Sequence, residues 1–247
     1  MTKSTFPWGL CLLLVMMGCN PSTETENSSA AHSQSRPLVN PPSTPEVVPA
    51  EPDFERLILS DFTAFQADDG TWTSEGGMLI CSGVPKGYLY SKKIFENLTL
   101  RGEFQFVLTE EQMKQVEKAN TGIMLAIQEP HRIWPVSLEV QGRYDLMGSI
   151  NANGGIPPLM VSDAPDVRER VRLPADQWNS LEITVKDGAV TSRLNGEIVC
   201  TSQPTDLKSG PIGLQAEGYV VRFRNLRIRR DSATRSSEGT GSPKPSL

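Results

Sequence analysis

Short runs in which apolar and polar residues alternate, broken by turn dipeptides, fill residues 53–230. A period of two marks half-buried β-strands. Val136, Leu138 and Val140 alternate with Ser137, Glu139 and Gln141. Residues two apart share one side of a pleat, so Glu139 and Gln141 form a polar ledge behind an apolar face. Leu98, Leu100, Gly102, Phe104 and Phe106 alternate with Thr99, Arg101, Glu103 and Gln105, and Ile123, Leu125 and Ile127 keep the same rhythm. Leu181, Ile183 and Val185 run into Asp187-Gly188, and Val190, Ser192 and Leu194 run into Asn195-Gly196. That block predicts a meander closed by two tight hairpins. Further on, Val221, Phe223 and Ile228 oppose Arg222, Arg224, Arg227 and Arg229, with a slip at Asn225-Leu226 that predicts a bulge. The arginines are expected on a solvated outer face.

Two stretches break the period. Thr109 with Gln112 three residues later reads as a capping box on a short surface helix. Residues 143–158 are rich in Gly, Asn and Pro and predict an irregular loop, placed to wall a site beside the Glu139 ledge. Many short antiparallel strands with little helix define an all-β class, a β-sandwich of two antiparallel sheets.

Composition narrows the rest. The 247 residues suffice for one sizeable domain. A net charge of -5 gives no electrostatic footprint for nucleic acid. With His32 and His131 the only histidines, a zinc site built on several histidines is excluded. Residues 1–19 carry Lys3, a short apolar run and Gly18-Cys19, a pattern similar to a bacterial lipoprotein signal. Its cysteine, Cys19, is then the lipidation site, anchoring the chain at the cell envelope on the periplasmic or exterior side, the alternative being a plain secretory signal whose cysteine is incidental. Residues 20–52 are Pro-, Ser-, Thr- and Glu-rich and read as a disordered tether, and residues 231–247 as a disordered tail. Cys81 and Cys200 remain for the exported domain, either as a disulfide or as two buried thiols.

Across residues 53–230 the motifs fall in a recognisable order. They include Gly70-Thr71-Trp72, Gly87-Tyr88-Leu89-Tyr90, Phe95-Glu96-Asn97-Leu98, Asn120-Thr121-Gly122-Ile123, Leu138-Glu139-Val140-Gln141, Asp176-Gln177-Trp178-Asn179, Leu194-Asn195-Gly196, Gly210-Pro211-Ile212-Gly213-Leu214-Gln215 and Phe223-Arg224-Asn225-Leu226. This ordered set resembles the 3-keto-disaccharide hydrolase family. The resemblance implies a concanavalin- or laminin-G-like jelly roll with a sugar site on one concave sheet, acting on glycosides already oxidised to a ketone at C3. Such a ketone acidifies the C2 proton; a base removes it, the C1 leaving group departs, and water adds back.

That chemistry needs a positioned base and groups that hold the ring. Glu139 is the candidate catalytic residue. Gln141, Asn120, Trp134, His131, Arg143, Tyr144, Gln215 and Glu217 are the candidate substrate-binding residues. His131 reads more readily as an ordinary loop residue beside Trp134, and Trp72 and Trp178 as core anchors. No carboxylate shares the Glu139 strand, which counts against a direct two-carboxylate glycosidase. A divalent cation stays open, since hard cations take oxygen ligands, but no spacing declares a metal site and no organic cofactor is implied. The chain departs from the family pattern at Ala126, where a basic residue is usual, and at Gly142, where an acidic one tends to follow. A non-catalytic carbohydrate-binding module is therefore the alternative reading. The expected partners are a glycoside or 3-keto-glycoside and, through Cys19, a membrane.

Overall fold

Two antiparallel sheets carry the alternation into three dimensions in the computed structural model, which describes residues 51–231. The expected signal segment with Cys19 and nearly all of the tether, His32 included, lie outside the described residues, as does the tail after Asp231. One sheet has nine strands. Its order is Val161–Asp163, Glu197–Ser202, Ala189–Leu194, Asn179–Lys186, Leu98–Val107, Val220–Arg230, Met78–Cys81 and Trp72–Glu75, with Glu55–Arg56 pairing beside Val220–Arg230. The other has six, in the order Phe62–Phe65, Gly87–Ser91, Gly213–Ala216, Gly122–Leu125, Ser137–Gln141 and Ile150–Asn153. The inner faces meet in one core that includes Leu100, Phe104, Phe106, Ile183, Leu138, Val140, Leu125 and Leu214. Each such side chain contributes roughly 1.5–3 kcal/mol by leaving water. This is a jelly-roll β-sandwich of the concanavalin and laminin-G kind.

The hairpins form as their dipeptides require. Leu181 pairs with Leu194 and Val185 with Val190. Asp187, Gly188, Asn195 and Gly196 all adopt positive φ, the conformation of a two-residue turn whose twist matches the strands. The bulge falls between Arg224 and Arg227, with Asn225 at φ 54°. Thr109 and Gln112 exchange the reciprocal bonds of a capping box on helix Glu110–Met113. Cys81 and Cys200 are both free and buried.

Several expectations need correction. Residues 143–158 are not one irregular loop: a single turn at Tyr144–Leu146 leads into the edge strand Ile150–Asn153, which pairs with the Glu139 strand. Ile127 does not continue the inward set of Ile123 and Leu125. The strand ends at Leu125, and Ala126 takes φ 51°, which turns Ile127 to the opposite face beside Tyr88 and Met124. Trp178 is no core anchor; the Arg224 guanidinium lies 4.2 Å from its ring on the outside of the nine-stranded sheet. Trp72 is buried, its ring facing that of Phe223. Three arginines of the last strand are ion-paired rather than simply solvated: Arg224 with Glu103, Arg229 with Asp231, and Arg227 with Glu51. Glu51, at the end of the expected tether, also bonds Arg101, and the two arginines pull its carboxyl down to about 2.

Candidate functional site on the six-stranded sheet

The outer face of the six-stranded sheet holds the candidate site. Residues directly opposite each other in an antiparallel pair share a face. Glu139 stands opposite Met124 and, on its other side, Asn151. Met124 stands opposite Gly213, and Gly213 opposite Tyr90. One step along, Gln141 stands opposite Gly122, and Gln215 opposite Tyr88, which faces Phe65.

Gly122 is the gap that makes the site. A Cβ built there would lie 2.7 Å from Glu139 Oε1, and closer still to Gln215 Oε1. The carboxylate and the amide therefore lean together over a bare backbone. Glu139 is only 6% exposed and Gln215 only 1%, so neither is a surface group. Asn153 Nδ2 donates to Glu139 Oε2 at 3.0 Å. Burial pushes the Glu139 carboxyl above the ordinary range, opposed by the bonds from Asn153 and the Gln215 amide. Burial, helped by the charge of Glu139 and countered by Lys86, pushes Glu217 up to about 7.

Six buried side-chain polar atoms lack a partner among the described residues; Gln215 Oε1 and Glu217 Oε2 belong to this cluster, and a third, Asn120 Oδ1, lies two residues before Gly122 in the chain. All three are acceptors. An unmet buried acceptor costs about 1–3 kcal/mol, so the cluster is short of donors. A polyol supplies donors. Among the described residues no group of three or more His, Cys, Asp or Glu side chains is placed to hold a metal ion.

An aromatic wall adjoins the cluster. His131 is not the plain loop residue of the bland reading. Its Nδ1 lies 2.7 Å from the Tyr88 hydroxyl, its Nε2 3.0 Å from Glu129 Oε1, and its ring 4.2 Å from that of Tyr90. With Glu129 accepting from Nε2–H, Nδ1 accepts from Tyr88, so both ring nitrogens are committed. Burial, reinforced by Glu129, drives the Tyr88 phenol above its usual range. Trp134, at φ 55°, packs on the same patch as Phe65 and Tyr90, against Tyr88, Met124 and Ile127.

Three candidates serve the scaffold instead. Gln141 Oε1 accepts from the Arg143 backbone N–H at 2.8 Å. Arg143 forms a two-point pair with Asp145 at 2.6 and 2.8 Å, and Tyr144 lies under the Arg172 guanidinium at 4.1 Å. Neither Arg143 nor Tyr144 joins the Glu139 cluster. Gly142 has a structural cause: a Cβ there would sit 2.7 Å from the carbonyl oxygen of Thr121, to which its own N–H donates.

The missed residues are Asn153, Gly122, Tyr88, Tyr90 and Phe65. Ile150-Asn151-Ala152-Asn153 does alternate, a signal for the strand that presents Asn153 which the Gly-, Asn- and Pro-rich composition of residues 143–158 outweighed. The carboxylate partner of Glu139, absent from its own strand, arrives from across the sheet as Glu217.

A sandwich whose outer sheet face gathers buried carboxylates, donor-starved amides and aromatic rings has the makings of a carbohydrate site. Residues 55–229 match the profile of the 3-keto-alpha-glucoside-1,2-lyase-like domain, and the chain belongs to that family. Among solved structures, two proposed glycosyl hydrolases from Parabacteroides distasonis ATCC 8503 are similar in fold. One is 18% identical with a TM-score of 0.54, covering 72% of this chain and 99% of the other. The second is 17% identical with a TM-score of 0.51, covering 70% and 89%. The carbohydrate-binding module CBM66 from Bacillus subtilis is 11% identical with a TM-score of 0.52, covering 68% and 95%. No curated protein sequence matches the chain.

Proposed function

We propose that this chain cleaves glycosides that carry a ketone at C3 of the sugar, by elimination across C1–C2 followed by addition of water. The observation that carries the reading is the buried Glu139 carboxylate, held by Asn153 and Gln215 over the Gly122 gap among acceptors that lack donors. Burial raises its basicity, which suits a base that must take a carbon-bound proton. Glu139 removes the C2 proton. The electron pair enters the ketone as an enolate, then returns to expel the aglycone from C1. Gln215 Oε1 and Asn120 Oδ1 accept hydrogen bonds from sugar hydroxyls, and Tyr90, Phe65 and Trp134 wall the ring. Membership in the 3-keto-alpha-glucoside-1,2-lyase-like family supports the same chemistry.

Aglycone release from a 3-keto-glucoside and from its unoxidised parent tests this. Release from the ketone alone, lost in Glu139→Gln while the fold survives, is the expected result. Release from the parent as well favours a direct glycosidase using Glu139 and Glu217, the two carboxylates within reach of each other's charge. Binding without release from either favours the binding-module reading. The proposal extends to location: Cys19 is lipidated and holds the domain outside the cytoplasm. Membrane-fraction retention that persists in Cys19→Ala overturns that part.

A further inference from the structure

A leaving alkoxide is poor, and the elimination needs a proton donor for the aglycone oxygen as much as a base for C2. This inference rests on the elimination reading. The donor must reach the site, carry a proton near neutral pH, and not already be spent on the scaffold.

The titratable groups around Glu139 are few. His131 has both ring nitrogens committed, to Tyr88 and Glu129. The Tyr88 hydroxyl is held by His131 Nδ1 and by the Arg132 backbone N–H. Arg143 is locked on Asp145. Lys86, before the Gly87–Ser91 strand, is exposed. Glu217 is different. It follows Gln215 by two residues, just past the end of strand Gly213–Ala216. Its Oε2 is buried without a partner. It makes no salt bridge among those of the described residues, although it lies close enough to Glu139 and Lys86 to feel both charges. Two carboxyls from different strands thus share one site. Glu139 has hydrogen-bond donors on its carboxylate, which favours its ionised form, whereas Glu217 has none on its buried oxygen. Glu139 is thereby set up to be the base and Glu217 to keep a proton.

We propose that Glu217 is the general acid of this site, delivering its proton to the aglycone oxygen as the C1–O bond breaks. The balance closes without an oxidant or reductant. Glu139 gains the C2 proton and the C2–H electron pair becomes the C1=C2 bond. The C1–O pair leaves with the aglycone, which takes the proton of Glu217 and departs as an alcohol. One proton enters the pair and one leaves it. The sugar product is the 1,2-unsaturated 3-ketone.

The experiment uses the full chain and a series of 3-keto-glucosides whose aglycones run from 2,4-dinitrophenol, which leaves without a proton, to a simple alkyl alcohol. Glu217→Gln is expected to lower kcat/KM for the alkyl glycoside by roughly 100-fold or more, the range of a lost general acid. The dinitrophenyl glycoside should lose less than about 3-fold, since a proton contributes little to that leaving group. That retained activity also shows the variant folded. Wild-type turnover with an equal loss across the series, or with no loss, overturns the role of Glu217 and leaves the elimination reading standing. Wild-type protein that releases no aglycone from any member overturns the elimination reading and this assignment together.

Discussion

Replacing Gly122 with alanine adds one methyl group at the point where the site closes. The residue has no unusual backbone conformation, so alanine is tolerated there by the main chain. The new Cβ would stand 2.7 Å from Glu139 Oε1, about 0.7 Å short of ordinary contact at 3.4 Å, and Gln215 must retreat further. Both neighbours are ends of side chains, so they can move, but Asn153 restrains Glu139 on its other oxygen. Overpacking of this kind costs about 1–3 kcal/mol. In a domain of this size 1 kcal/mol shifts Tm by about 2–4 °C, so a modest drop is expected. The effect on turnover should be larger. A misplacement near 1 Å costs about 100-fold when a reacting group must meet a particular proton. The assay is kcat/KM for 3-keto-glucoside cleavage, with Tm measured alongside. Turnover within about 3-fold of wild type would refute the claim that Glu139 and Gln215 act together over this gap.

Three further outcomes follow from the charges. With Glu217 pushed up to about 7 and needed in its acid form, cleavage of alkyl 3-keto-glucosides should fall as pH rises through about 7. The same raised pKa means that Glu217 costs the fold nothing below its ordinary value of 4.5 and that stability is lost as pH rises from there through about 7; Glu217→Gln should therefore gain more Tm over wild type at pH 8 than at pH 4, and equal differences at both would contradict the assignment. Elsewhere in the domain, Arg168 is 2% exposed, paired with Asp163 and bonded to the Met147 carbonyl at 2.9 Å. Arg168→Ala removes the buried guanidinium that holds the Met147 carbonyl and the solvent-reached Asp163 carboxylate, a loss of about 1–3 kcal/mol that should lower Tm by roughly 2–10 °C, and an unchanged Tm would contradict it.

The sandwich was legible because one face of most strands is apolar at every second residue, as in the Leu98–Val107 and Asn179–Lys186 pair. The Asp-Gly and Asn-Gly turns carry their own backbone requirement. Legibility failed where a single residue changes the phase: nothing in the run Ile123, Leu125, Ile127 shows that Ala126 will take positive φ and turn Ile127 outward. At the site, Glu139, Gln215 and Glu217 were found from a ledge and a family resemblance, and the fold brings these three together, with Asn120 two residues before the Gly122 gap. Arg143 and Tyr144 misled because nearness in sequence to Gln141 says nothing about a chain that turns at once to pair with Asp145 and Arg172. Gly122 was quoted only as part of a motif. Its meaning depends on two side chains from other strands, and cross-strand register is a tertiary property that local pattern does not carry.

In the proposed elimination Glu139 takes the proton from C2 of a 3-keto sugar. A 3-keto-glucoside deuterated at C2 tests it most directly, with aglycone release timed against the protiated substrate and the sugar product weighed for deuterium. The expected result is loss of the C2 deuterium from the product, with release slowed where proton removal limits the rate, and neither in Glu139→Gln, which should release nothing. Aglycone release at an unchanged rate, with the deuterium fully retained in the product, would contradict it and make the reaction a direct substitution at C1.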